Sequence, residues 1–539
     1  MIGSFGAREV ATLALFGCTL LASHDSQAGG AATNALEVRH APAAVSSIDT
    51  ATRVREQLPD TMFGFNVQHL NFEDDLWIKE QSKTDPRVIE ALKFFPGALY
   101  RYPGGLVANR FSWQEAVGPP KARRPQKIVA SAAARPVMFG PEEYLDFVRS
   151  VNGQPFYVLN LVGWDEERMI NELPAKQIDG SNAELAALLK KRTEASGQPR
   201  YYELGNELDR SEYQWPHEKY IERARGTIEA IREVDRDARF VAFLREFDWR
   251  YRGDERKGEV SRSQAFITDV FTGLPSVQAF SMHFYYDQPG ESKKSTQLPW
   301  RLDQFRRAID VARQARQGRA PEVWITEHAR GVNQQAGKVM QQAPLTSNLS
   351  AALSTADFLI ALAQVPEVRG AAWHALNGNA WQLFDASIRY NDLRPRPVYW
   401  GLRILRALTL PVVLATVTTS PNVSGYAGGY DVRTVGFASE DQSQLGLWAV
   451  NRSAKATELE LNVATWKNRP VEVRHFHFSG EPGVDPDDPD VKTEMELSPA
   501  ATSASFSATG TLKLHLPPSS VSSFLISAPV RGKTTSSAP

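Results

Sequence analysis

From about residue 60 to residue 410, apolar runs of strand length alternate with stretches whose apolar residues recur every three or four positions. This alternation reads as parallel βα units, with the strands buried and the helices laid over them. The runs predict strands at Phe63–Phe72, Ala98–Gly105, Phe156–Gly163, Tyr201–Glu207, Phe240–Leu244, Val277–Tyr285, Glu322–His328 and Gly370–Leu376. Helices are expected at Asp85–Phe95, Glu142–Val151, Ala183–Ser196, Glu218–Val234, Leu302–Gln317 and Asn348–Gln364, with Pro397–Leu408 after the eighth strand. Eight strands, each followed by a helix or a long loop, predict an α/β fold: a (β/α)8 TIM barrel over residues 59–410.

The period changes after Leu410. Short alternating segments follow at Val412–Thr418, Thr434–Ala438, Leu445–Val450, Thr457–Val463, Val471–Phe478, Thr511–Leu516 and Val521–Ile526. Turn-rich spacers separate them, among them the acidic, proline-rich Gly480–Asp490. This predicts a C-terminal antiparallel β-sandwich over 411–530. Leu36–Val38, in an N-terminal extension at 29–58, could add a strand to it. Residues 531–539 are small and polar and are expected to be disordered.

Residues 1–28 carry the pattern of an export signal. Arg8 precedes the apolar Val10–Ala22, and Ser26-Gln27-Ala28 offers small residues for cleavage. The expectation is a secreted or periplasmic protein. The apolar stretch is too short to span a bilayer, and no other segment reaches about 18 apolar residues. The single cysteine, Cys18, falls inside this stretch, so the mature chain would hold no disulfide. Lipoprotein anchoring at Cys18 is the weaker alternative, because the apolar run continues past it.

Composition narrows the function classes. A formal charge of −1 across 539 residues excludes a general nucleic-acid surface or a polybasic membrane anchor. The basic run Lys121–Arg124 reads as a solvated loop, or as a contact for an acidic polysaccharide. No phosphate loop or dinucleotide fingerprint is present, so no cofactor is expected. Twelve tryptophans hint at sugar stacking, although most must be core residues.

Functional groups of such barrels sit where strands end and loops begin. Those positions hold Gln68 and His69, Arg101, Asn160 and Trp164, Asn206 and Glu207, His283 and Tyr285, Glu327 and His328, and Trp373 and His374. Glu207 ends the fourth strand and Glu327 the seventh. Each alone could be a structural ion pair with Arg101. Together they suit glycoside cleavage with retention, which needs two carboxyls about 5–5.5 Å apart. A metal-dependent hydrolase using His69, His283, His328 and His374 would usually want a His-x-His pair on the first strand, and none is there. No metal is therefore expected. A non-catalytic sugar-binding protein would be expected to have lost one carboxylate, and both are retained.

An Asn-Glu pair ending strand four, with a second Glu ending strand seven, resembles the clan A retaining glycoside hydrolases. Within that clan the chain most resembles glycoside hydrolase family 51, the α-L-arabinofuranosidases. The resemblance rests on FGFNVQHL (Phe63–Leu70), RYPGG (Arg101–Gly105), Trp113 with GPPKARRP (Gly118–Pro125), and LGNELD (Leu204–Asp209), in the family's order, together with the trailing sandwich. YYELGNELD, SMHFYYD (Ser281–Asp287) and RPVYWGL (Arg396–Leu402) also resemble the β-glucuronidase and heparanase-like enzymes of family 79. A likeness to family 39 is weaker.

The resemblance implies a double-displacement mechanism on an oligosaccharide or polysaccharide. Glu327 would be the ionised nucleophile, held by Arg101 and by Tyr285 or His283. Glu207 would start protonated beside that negative charge and serve as general acid, then base. Asn206 would bond the sugar 2-hydroxyl, Gln68 would help to hold the ring, and Trp164 and Trp373 would be stacking walls. The family's usual pattern has Glu at the position of Gln68, and Asn where Leu106 follows the two glycines. Those departures leave the two carboxyls in place and put the sugar in question. A homo-oligomer is compatible with the resemblance.

Overall fold

The computed structural model describes residues 44–529, except 128–132, 164–171, 195–196, 198, 209–212, 214, 245–256, 291–296, 333–340, 379, 388–391, 421–430 and 489. The expected signal at 1–28, the Leu36–Val38 strand, the 531–539 tail and Trp164 lie outside the described residues.

Eight parallel strands close into a barrel: Gly64–Asn66, Leu99–Tyr102, Gln154–Leu159, Tyr201–Leu204, Arg239–Phe243, Ala279–Tyr286, Glu322–Arg330 and Val368–Trp373. Each follows its predecessor in the ring, and the last pairs with the first. All eight coincide with expected strands. The first is much shorter than the predicted Phe63–Phe72, because a helix, His69–Asp75, begins just after it. Phe72 and Leu76 are four positions apart and both buried, which is helical spacing.

The barrel interior is filled by Leu99, Phe156, Val241, Ala279, Trp324 and Ala372. Trp324 is the large member and packs on Phe156 and Tyr201, with ring centroids 5.2 and 4.7 Å away. It leaves no room opposite: a Cβ on Gly370 would lie 2.8 Å from the indole. The helix Lys257–Gly273, between the fifth and sixth strands, was not anticipated. Its apolar residues Phe266, Ile267, Val270 and Phe271 are buried but follow a strongly polar stretch that masks the period.

Seven expected strands of the second domain are present, but they form one curled ten-stranded sheet. Its order is Thr493–Glu496, Pro470–Gly480, Ser520–Ser527, Gln444–Asn451, Val432–Ala438, Val412–Thr419, Ala44–Arg55, Thr457–Asn462 and Thr511–Leu516, with Thr502–Ser505 also on Pro470–Gly480. The strand Ala44–Arg55 precedes the barrel in sequence, yet it runs antiparallel to Val412–Thr419 and parallel to Thr457–Asn462.

The helix Leu349–Ala363 is buried at every position except Ser350. It packs on the seventh barrel strand on one side and on Val432–Ala438 and Gln444–Asn451 on the other. That double covering explains a helix that is apolar all round. Charges also join the domains. Asp357 of this helix accepts from Arg433 and, at 3.0 Å, from Arg452, whose second nitrogen reaches Asp287 at 2.7 Å. Arg330, at the end of the seventh strand, pairs with Asp487 of the acidic loop.

Candidate active site

The site is organised around Arg101, which lies one residue before the end of the second strand and has no solvent exposure. Its Nε donates to Glu203 at 2.5 Å, and Nη1 donates to Glu327 Oε1 and Asn66 Oδ1, both at 2.8 Å. Nη2 donates to Asn206 Oδ1 at 2.7 Å. One guanidinium thus ties together strand ends one, two, four and seven. Burying it is tolerable because its donors meet two carboxylates and two amide oxygens.

Glu327 sits opposite His283 of the sixth strand in register. A register irregularity between Ile325 and Glu327 turns both Thr326 and Glu327 to the interior. Thr326 donates to Glu203 at 2.7 Å, while Glu327 accepts from Arg101. Tyr285, two residues beyond His283 on the same face, donates to Glu327 Oε2 at 2.5 Å. His283 Nδ1 and His374 Nδ1 each lie 3.6 Å from that oxygen.

Glu207 stands three residues past the fourth strand with φ +47°, in the left-handed region that a residue with a Cβ seldom occupies. Strain of this kind collects at functional sites. Asn109 holds the backbone on either side of the Asn206 amide plane: its Nδ2 donates to Asn206 O at 2.5 Å, and its Oδ1 accepts from Asn206 N at 3.1 Å. The Glu207 carboxylate meets His283 Nδ1 at 2.8 Å. The ligand atoms of Glu207, His283 and Glu327 all lie within 4.8 Å of one another. That places the two carboxyls well inside the spacing of about 6.5–9.5 Å used for inversion.

The charges follow from this geometry. Burial disfavours an ionised Glu327, but His283, His374, Arg101 and the Tyr285 hydroxyl outweigh it and hold its pKa below the usual carboxylate range. Burial likewise opposes a charged His283, yet Glu327 and the hydrogen bond to Glu207 raise its pKa above that of free imidazole. For His374 burial prevails and the pKa falls. Tyr285 is pushed well above an ordinary phenol by burial and by Glu327, so it remains a neutral donor.

Of the residues expected from sequence, Glu207, Glu327, Arg101, Asn206, His283 and Tyr285 are brought together. Gln68 is at the rim, its Nε2 3.4 Å from His374 Nε2. The two glycines of RYPGG make this closeness possible, since a Cβ on Gly104 would meet Asn66 Oδ1 at 2.4 Å and one on Gly105 would meet Gln68 Nε2 at 2.5 Å. Trp373 is corrected. It is fully buried in the outer core, because strand alternation turns Ala372 and His374 inward and Trp373 toward the helices. The tryptophan that lies beside the site is Trp381, half-buried, with ring centroids 5.2 Å from both Tyr285 and His374.

Sequence reasoning also missed Asn66, Asn109 and Glu203. Asn66 and Glu203 lie inside quoted motifs, where a polar residue within an apolar strand was the available signal. The histidine cluster weighed for a metal does not assemble: His69 packs on Tyr102 and Phe111, and His328 on Tyr286 and Phe358. Glu207, His283 and Glu327 are a ligand-like trio. Both oxygens of Glu327 already accept hydrogen bonds, however, and the Arg101 cation beside them opposes a second positive charge.

No family model matches the chain. Over 197 residues it is 27% identical to an intracellular exo-α-(1→5)-L-arabinofuranosidase of Streptomyces lividans, covering 34% of this chain and 29% of that enzyme. Over 250 residues it is 25% identical to an enzyme of the same description from Acetivibrio thermocellus, covering 44% and 48%. The matches thus span about half or less of the length of these curated relatives. A solved family 51 α-L-arabinofuranosidase from Bifidobacterium longum superposes with a TM-score of 0.69 at 17% identity, covering 90% of this chain and 100% of that one. The fold is that of the family 51 α-L-arabinofuranosidases. The family 51 fold comprises both the closed barrel and the trailing β-domain, so the correspondence runs through nearly the whole described chain.

These relatives overturn one expectation. The secreted or periplasmic location drawn from residues 1–28, with its Cys18 anchoring alternative, is contradicted by family 51-like relatives that are described as intracellular. A short apolar N-terminal run reports hydrophobicity and does not by itself distinguish a signal from other terminal segments.

Proposed function

We propose that the protein is a retaining glycoside hydrolase acting on oligosaccharides or polysaccharides, with α-L-arabinofuranosides as its first substrate class and an intracellular place of action. The observation that carries this reading is the pair Glu207 and Glu327, with carboxylate oxygens within 4.8 Å, one just past strand four and the other in strand seven, and with Arg101 and Tyr285 both donating to Glu327. The asymmetry separates two roles. Glu327, held ionised, attacks the anomeric carbon while the bond to the leaving oxygen breaks and Glu207 supplies its proton. Water then attacks the glycosyl ester and gives a proton to Glu207, and the electron pair returns to Glu327.

Asn206 has its Oδ1 anchored on Arg101, while its buried Nδ2 has no hydrogen-bond partner among the described residues. That amide is therefore available to a sugar 2-hydroxyl. Trp381 offers a face beside Tyr285 for the ring. A β-D-glucuronide is a second reading favoured by one observation. Where family 51 usually has Glu, the neutral Gln68 lies beside His374, so no carboxylate is there to repel an anionic glycone. The resemblance also supports a homo-oligomer, which light scattering would read.

The test is nitrophenol release from a panel of aryl glycosides that includes α-L-arabinofuranoside and β-D-glucuronide, with Glu327→Ala alongside. Release from one sugar that is lost in the variant is expected. Silence across the panel would overturn the exo-acting reading.

A further inference from the structure

Glu203 is fully buried and touches neither Glu207 nor Glu327 directly. Its Oε2 accepts from Arg101 Nε at 2.5 Å, and its Oε1 accepts from Thr326, the neighbour of Glu327, at 2.7 Å. Arg101 is therefore shared between two carboxylates on opposite sides of its guanidinium. We propose, resting on the retaining reading above, that Glu203 is a positioning residue whose carboxylate keeps Arg101 paired through both halves of the reaction.

Before attack, Arg101 faces the carboxylates of Glu203 and Glu327, with the acid proton on Glu207. In the glycosyl ester Glu327 is neutral, and the negative charge has moved to Glu207, which is bonded to His283 and not to Arg101. Without Glu203, Arg101 would then be a buried cation held only by Asn66 and Asn206. An uncompensated buried charge is costly. Glu203 thus lets the nucleophile lose its charge without stranding its partner. It also divides the attention of Arg101, so the guanidinium does not over-stabilise the Glu327 carboxylate that must attack. Among the described residues, the charged and titratable groups facing Glu327 are Arg101, His283, His374, Tyr285 and Glu207, and Glu203 acts on it through Arg101 and through the neighbouring Thr326.

The test uses a 2-deoxy-2-fluoro arabinofuranoside with a dinitrophenol leaving group, whose electron-poor ring slows both steps. Intact-mass spectrometry follows ester formation and ester breakdown separately in the parent, Glu203→Gln and Glu203→Asp. Glu203→Gln is expected to slow ester formation about tenfold while breakdown is unchanged or faster, so less enzyme stands as ester. Glu203→Asp keeps the charge one methylene short of Arg101 and should shift the ratio in the same direction by less. Equal slowing of both steps, in whichever variant folds, is what a merely structural residue would give and would overturn the proposal. A parent that takes up no glycosyl mass, with the glucuronide counterpart equally inert, would overturn the retaining reading and this proposal with it.

Discussion

Replacing Tyr285 by Phe removes one oxygen from the site and should shift the balance between the two steps in the direction opposite to Glu203→Gln. The phenol donates to Glu327 Oε2 at 2.5 Å, and without it that oxygen keeps only two imidazole nitrogens at 3.6 Å, beyond hydrogen-bond reach. A hydrogen bond to a charged group contributes about 1.5–3 kcal/mol. Because Arg101 still serves Oε1 at 2.8 Å, a loss of about 2 kcal/mol is expected. The Glu327 pKa rises accordingly. The sign follows from the depressed pKa: a donor that favours the carboxylate has gone, so the acid limb of kcat/KM moves to higher pH.

The kinetic consequence falls on ester breakdown, because that step regenerates the carboxylate. With half the charge developed in the transition state, breakdown slows about fivefold, and with all of it about thirtyfold. Ester should accumulate, and kcat should fall more than kcat/KM. The assay is pre-steady-state release of dinitrophenol from the cognate glycoside over a pH series. A Tyr285→Phe enzyme with parental breakdown rate and an unmoved acid limb would refute the assignment of Tyr285 as the stabiliser of that carboxylate.

Glu207→Ala should lower kcat by about 10²–10⁴ for substrates with poor leaving groups and far less for dinitrophenyl glycosides, as rates across a leaving-group series would reveal. Trp381→Ala should raise KM while leaving the intrinsic chemistry largely intact, measured with the same aryl glycoside. Asp357→Asn removes the carboxylate that Arg433 and Arg452 share between the domains, and thermal unfolding should register a loss of about 3 kcal/mol or more. His69 is buried with neither ring nitrogen partnered among the described residues, and burial lowers its pKa to about 3. The unfolded chain therefore takes up a proton below about 6.5 that the folded chain refuses, so stability is lost as pH falls from there. His69→Phe should flatten that acid-side loss in a pH series of melting curves.

Much of this molecule is written locally. A period of two or of three to four residues, repeated at element length, decides strand or helix wherever the chain buries one face, and eight such strands imply a closed barrel. Barrel geometry then sends polar groups to strand ends, so Glu207 and Glu327 stood out as the candidate pair without coordinates. The tertiary structure decided what depends on contacts distant along the chain. Arg101 meets Glu203 and Glu327 across 102 and 226 positions, and nothing in the local pattern distinguishes Glu203 from any other polar residue in an apolar strand.

Trp373 and Trp381 differ for the same reason. Both are tryptophans near one strand end, but one position of strand parity sends the first into the outer core, while the chain beyond the strand folds the second back over Tyr285. Ala44–Arg55 carries strand propensity, yet only the assembled sheet offered it the edges of Val412–Thr419 and Thr457–Asn462. Local patterning selects the elements, while burial, pairing and charge compensation among distant residues select their partners.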